Sequence, residues 1–160
     1  MIEVLVGNIG SGKSTYAKSR ARSGAIVVSE DSIVMDVHGG KYDRYHDDLK
    51  PLYRSVETTI FQLAVALHRD VIIDKTNMTR QQRARWITLA QSLDADVRCM
   101  WWRGPEKPNA ISRRMLGDAR GITRQKWEEV YDRKAAEFEE PRMEEGFRFI
   151  DRMGEIDSGL

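Results

Sequence analysis

Apolar positions along the chain fall into two kinds of run. Short stretches rich in β-branched residues occur at Ile2–Val6, Ala25–Val28, Val71–Ile73, Val97–Trp102 and Phe147–Ile150. Their length and near-continuous apolar character predict strands buried on both faces. Between them the spacing changes to helical. A helix is predicted from Lys13 to about Arg22, and a short helical or irregular segment runs through Val37. A long helix begins near Pro51, a residue tolerated in a first turn. In it Leu52, Val56, Ile60, Leu63 and Leu67 recur every three or four residues and predict a buried stripe. Thr79 is placed to cap a helix whose Trp86, Ile87, Ala90 and Leu93 share one face. Thr123 opens another, expected to turn Trp127, Val130, Tyr131, Ala135 and Phe138 inward. Strands alternating with helices predict βαβ units, hence an α/β fold around a mostly parallel central sheet.

Composition bounds this picture. At 160 residues the chain suits one domain over 1–160. The 26 basic and 25 acidic side chains nearly cancel, so any nucleic-acid contact must come from a local patch. The single cysteine, Cys99, lies in the apolar Val97–Trp102 run, which fits a buried structural thiol and a cytoplasmic setting. No apolar stretch approaches the roughly 20 residues of a membrane span. The tail 151–160 has few apolar anchors and is expected to fray.

The strongest chemical signal is Gly7-Asn8-Ile9-Gly10-Ser11-Gly12-Lys13-Ser14, which fits G-x-x-x-x-G-K-[ST] between a strand and a helix. Its glycines let successive amide N–H groups converge on an anion at a positive helix end. Lys13 then reaches the β- and γ-phosphates, Ser14 offers a hydroxyl to Mg²⁺, and Thr15 is a candidate α-phosphate contact. No Asn-Lys-x-Asp guanine-reading segment follows, which favours a kinase over a GTPase. A kinase needs a base for its acceptor hydroxyl. Asp31, just past the second strand, is the candidate, with a helix N-cap as its structural alternative. Asp74 closes the third strand and would either hold the metal's water shell or brace the phosphate loop. Asn77 is expected to shape the turn or orient the acceptor.

Basic residues cluster twice. Six lie from Lys107 to Lys126, among them Arg113, Arg114 and Arg120. Gly117 and Gly121 bracket Asp118-Ala119-Arg120, which predicts a flexible loop within a helical lid around 113–126. Arg113 and Arg114 are candidate ATP or lid contacts. Arg80, Arg83 and Arg85 adjoin Trp86 and offer either acceptor-phosphate contacts or a solvated face. The aromatic loop 38–48, with Tyr42 and Tyr45, either roofs an acceptor site or is an ordinary surface loop.

These segments together resemble the kinase domain of polynucleotide 5′-hydroxyl kinases. The resemblance rests on Gly-Ser-Gly-Lys-Ser-Thr, Ser-Glu-Asp-Ser and Val-Ile-Ile-Asp-Lys-Thr-Asn-Met, and continues into Glu139-Glu140-Pro141. It implies a P-loop kinase three-layer sandwich, ATP as donor, Mg²⁺, and transfer of the γ-phosphate to a 5′-hydroxyl of DNA or RNA. It matches Lys13 and Ser14 to the phosphate and metal positions, Asp31 to the base, and Arg120 to a lid arginine at the transferring phosphate. Phage-type members carry an arginine three residues past the base, where this chain has Val34. That departure keeps two alternatives open: a hydroxymethylated base in DNA, or a nucleoside or other small hydroxyl compound. A regulatory ATPase with no acceptor is a third.

Overall fold

The computed structural model describes residues 1–116, 118 and 120–154. Five strands, β1 (Ile2–Val6), β2 (Ile26–Val28), β3 (Val71–Ile73), β4 (Val97–Trp102) and β5 (Phe149–Met153), form one sheet in the order β2-β3-β1-β4-β5. Every neighbouring pair is parallel. The helices are α1 (Lys13–Arg22), α2 (Glu30–Val37), α3 (Lys50–Ala66), α4 (Arg80–Gln91), α5 (Lys107–Leu116) and α6 (Arg124–Glu137).

Alternation along the central strand sorts the core into layers. Ile2, Val4 and Val6 pack on one face with Phe61 of α3 and Trp86, Ile87 and Ala90 of α4. Leu5 packs on the other with Ala17 of α1, Ile72, Met100 and Trp102. Cys99 is fully buried, and desolvation pushes its thiol up to about 12, so it acts as a packing residue. Thr79 caps α4 in a reciprocal capping box with Gln82, and Thr123 caps α6.

Three expectations are corrected. The buried stripe of α3 is Tyr53, Glu57, Phe61 and Ala64, one residue round from the expected one. Leu52, Leu63 and Leu67 are exposed instead. The reason is Glu57: its carboxylate is buried because Lys75 and Arg85 both donate to it, at 2.8 and 2.5 Å. A paired carboxylate can take an inward position that an unpaired one cannot. The last strand begins at Phe149 and takes in Asp151–Met153, so three residues of the segment expected to fray are paired with β4. Residues 155–160 of that segment lie outside the described residues. In α6 Ala135 faces solvent and only Trp127 is fully buried.

Candidate active site

All strands run the same way, so their carboxyl ends deliver the loops that carry chemistry to one edge. β1 ends at Gly7, and the loop to α1 is fixed by contacts on both sides. The Gly7 amide donates to the Thr76 carbonyl at 3.0 Å, and Asn77 Nδ2 donates to the Leu5 carbonyl at 2.8 Å. Asn77 itself is buried with φ 46°, a left-handed turn that asparagine tolerates. Gly10 has φ +70°, and a Cβ there would fall 2.3 Å from the Ala110 carbonyl oxygen of α5. Asn8 Nδ2 donates to the Tyr131 carbonyl of α6 at 3.0 Å. The α5–α6 pair therefore sits directly on the phosphate loop.

The loop is prepared for an anion. Among the described residues, the amides of Gly10, Ser11 and Gly12 donate to no protein acceptor. Ser14 and Thr15 are exposed at the mouth. Lys13 is buried, and its Nζ folds back to donate to the Asn8 carbonyl at 2.6 Å and to Ser11 Oγ at 3.1 Å. Desolvation lowers its pKa to about 8; Asp74 partly restores it, and Arg114 lowers it again. A triphosphate would meet unpaired amides and an ammonium short of negative charge.

Asp74 lies against this group. Burial raises its carboxyl above the usual range, while the Ser14 hydroxyl and the Lys13 charge pull it back. Among the described residues, no cluster of three or more His, Cys, Asp or Glu can hold a metal ion by itself. The Ser14 hydroxyl and the Asp74 carboxylate, hydrogen-bonded to each other, are the hard oxygen donors a Mg²⁺ ion would take.

Across the mouth stands Asp31, in the first turn of α2. Ser29, not Asp31, is the N-cap, accepting from the Ser32 amide, so the capping alternative for Asp31 falls away. Its Oδ2 meets Arg120 Nη1 at 3.2 Å and Arg114 Nη2 at 3.5 Å. Arg120 is shaped by its neighbours: its Nε donates to Asp118 at 2.6 Å, and its guanidinium lies 4.5 Å from the centroid of Tyr42 and 5.2 Å from that of Trp127. Burial pushes the Asp118 carboxyl up, but the bond and charge of Arg120 outweigh this and leave it lowered. Trp127 Nε1 also donates to Asp118, at 3.1 Å. Arg114 stacks 4.6 Å from Trp127, and among the described residues its buried Nε has no partner. Burial and the Asp31 charge raise the Tyr42 hydroxyl to about 12.

The structure therefore brings Lys13, Ser14, Asp74, Asp31, Arg114 and Arg120 to one mouth. Arg113 is exposed on α5 and makes none of these contacts. Two expected acceptor contacts are corrected. Arg83 is fully buried, paired through Nε and Nη2 with Glu145 at 2.7 and 2.8 Å, and bonded to the Asn77 and Met78 carbonyls. Asn77 spends its Nδ2 on the Leu5 carbonyl near the end of β1. Both are scaffold. Arg80 is exposed, with its amide on Glu139 and its guanidinium on Glu144, away from Asp31. Val34 is buried with Ile33 and Tyr53, so its position points into the fold. The sequence places Asp118 only in the glycine-bracketed loop and Tyr42 only in the aromatic loop 38–48; their contacts with Arg120 come from the structure. Gly117 and Ala119, which belong to the expected lid loop, lie outside the described residues.

A family model described as an AAA domain matches residues 2–141. The chain belongs to that family. Over 156 residues it is 28% identical to the bifunctional polynucleotide phosphatase/kinase of Schizosaccharomyces pombe, a match covering 95% of this chain and 33% of that protein. The chain thus spans about a third of that relative's length. Among solved structures it is similar to Chaetomium thermophilum Kti12 in complex with ADP-AlF3, with TM-score 0.60, 18% identity, and coverage of 99% of this chain and 92% of that one. A gluconokinase from Sinorhizobium meliloti gives TM-score 0.57 at 17% identity, covering 96% and 82%. These likenesses establish the P-loop kinase fold. No helix among the described residues is long and apolar enough to cross a membrane.

Proposed function

We propose that the protein is an ATP- and Mg²⁺-dependent kinase that phosphorylates the 5′-hydroxyl end of DNA or RNA. The observation that carries this reading is the Asp31 carboxylate, met by Arg120 and Arg114 across the mouth from the phosphate loop. A nucleotide switch needs no such carboxylate, whereas a transferase needs a proton acceptor opposite its donor. The polynucleotide relative supports the acceptor class.

In this mechanism the free amides of Gly10, Ser11 and Gly12 hold the phosphates, and Lys13 turns from Asn8 and Ser11 onto the γ-phosphoryl. Ser14 would ligate Mg²⁺ with Asp74 behind it; when bound, the ion neutralises charge on the β- and γ-oxygens. Asp31 accepts the proton of the attacking hydroxyl. Arg120, released from Asp31 by the incoming acceptor, moves to the charge developing on the transferring group. Asp118 and Trp127 hold it in the lid.

The test is transfer from γ-labelled ATP to 5′-hydroxyl oligonucleotides, hydroxymethyluracil duplex and nucleosides offered in parallel. Label on the oligonucleotide end is expected. Label confined to the modified base or the nucleosides would overturn the acceptor assignment. Release of phosphate with no labelled acceptor would make the protein a regulatory ATPase.

A further inference from the structure

A cleft of about 730 Å³ opens between α3 and α4, apart from the phosphate loop. It begins at Glu30, the neighbour of Asp31, and at Lys75, and its walls are Lys50, Arg54 and Thr58 of α3 against Gln81, Gln82 and Arg85 of α4. Four cations line it, and Glu30, the one acidic lining residue among those described, pairs with Lys75 at 2.5 Å. The floor is built. Glu57 is fully buried beneath the cleft and fixes Lys75 on one oxygen and Arg85 on the other. Arg85 also donates to the Arg54 carbonyl at 3.0 Å and Thr58 Oγ1 at 3.1 Å, tying the two walls together. Lys50 meets Asp47 at 2.8 Å in an exposed pair that an incoming phosphate can replace, and among the described residues the exposed Arg54 guanidinium has no carboxylate partner.

Lys50, Arg54 and Thr58 stand one helical turn apart, about 5–6 Å between neighbours. A row of donors at that repeat suits successive phosphates better than one isolated anion. The amide side chains of Gln81 and Gln82 on the facing wall can hydrogen-bond phosphate, sugar or base edges without adding charge. An aromatic ladder links the row to the reacting end: Tyr42, beside Asp31, stacks on Tyr45 at 6.1 Å, and Tyr45 stacks on Tyr53 at 5.5 Å. Lys50 sits beside the Tyr45 hydroxyl. The ladder's rings pack on one another and on Arg120, so it serves to join the catalytic mouth to the cationic row.

We propose that the α3–α4 cleft carries the phosphate backbone of a single-stranded acceptor behind its 5′ nucleotide. The substrate class is then an oligonucleotide with an unpaired end, and the cations of α3 discriminate it from a nucleoside. The inference rests on the kinase reading for its catalytic arm only, because binding in the cleft needs no transfer.

The test uses the double variant Lys50→Ala/Arg54→Ala, two exposed positions whose loss leaves the core intact, with thermal melting as the control for folding. For a short single-stranded oligonucleotide against a nucleoside 3′-phosphate, the ratio of kcat/KM is expected to fall roughly ten-fold in the variant. The slope of log K against log salt for oligonucleotide binding, measured without ATP, is expected to become shallower by about 1 to 2. A wild-type salt slope and an unchanged ratio would overturn the cleft while leaving the kinase reading standing. A shallower slope in a protein that phosphorylates neither acceptor would sink the kinase reading and keep the cleft as a nucleic-acid site.

Discussion

The donor side of the mouth is tied to backbone carbonyls. Gly7 is tied to Thr76, Asn77 to Leu5, Asn8 to Tyr131, and Gly10 lies against Ala110 with no room for a side chain. The acceptor side is held by side chains: Asp31 is half-exposed and reaches the lid through Arg120 and Arg114. A triphosphate can therefore enter a cradle whose shape is already set, since its free amides need only an anion. On the proposed reading an acceptor hydroxyl must first displace guanidinium groups from Asp31. The ordering follows from exposure: the braces of the loop lie within the fold, whereas the half-exposed Asp31 carboxylate can exchange its guanidinium partners for an incoming group.

Changes that break the donor side should be the most severe. Lys13→Ala removes the ammonium of the cradle and is expected to lower transfer on the order of a thousand-fold or more, read as initial rates with labelled ATP. On the other side, Arg120→Ala should lower transfer about a hundred-fold with little change in nucleotide binding by calorimetry. Equal losses in both would place Arg120 with the donor half. Gly10→Ala tests the rigid contact. A side chain forced into φ +70° against the Ala110 carbonyl should cost about 2–4 kcal/mol in denaturant unfolding. The mildest test is pH. Lys13 titrates near 8 in the free protein, so its charge is present below that pH and lost above it. Nucleotide affinity should weaken as pH rises through about 8, and the dependence should vanish in Lys13→Gln.

The donor half was the more legible because its determinants are contiguous. Eight residues between a strand and a helix specify the loop, and the structure adds only its braces. Strand positions were legible too, because a strand buried on both faces reads as an apolar run. The acceptor half was legible only in part. Asp31 follows its strand at a place the topology makes useful, but Tyr42 and Arg54 reach the mouth and cleft only through tertiary packing. Arg83 shows the converse. In sequence it is one of three exposed-looking arginines, and its partner Glu145 is 62 residues away. Glu57 misled the reading of α3 for the same reason, since its cations come from the β3–α4 turn and from α4. Pairing across the fold decides whether a charge lies in the core, and periodicity cannot carry that information.

The account stands or falls on Asp31 as a base distinct from the donor cradle. Asp31→Asn keeps the size of the side chain and removes its proton affinity. The measurement is ATP affinity and single-turnover transfer to a 5′-hydroxyl oligonucleotide, in the variant and the wild type side by side. Affinity within about three-fold and transfer reduced at least a hundred-fold is the predicted result. Transfer at a near wild-type rate would contradict it, and Asp31 would then be only the lid's anchor.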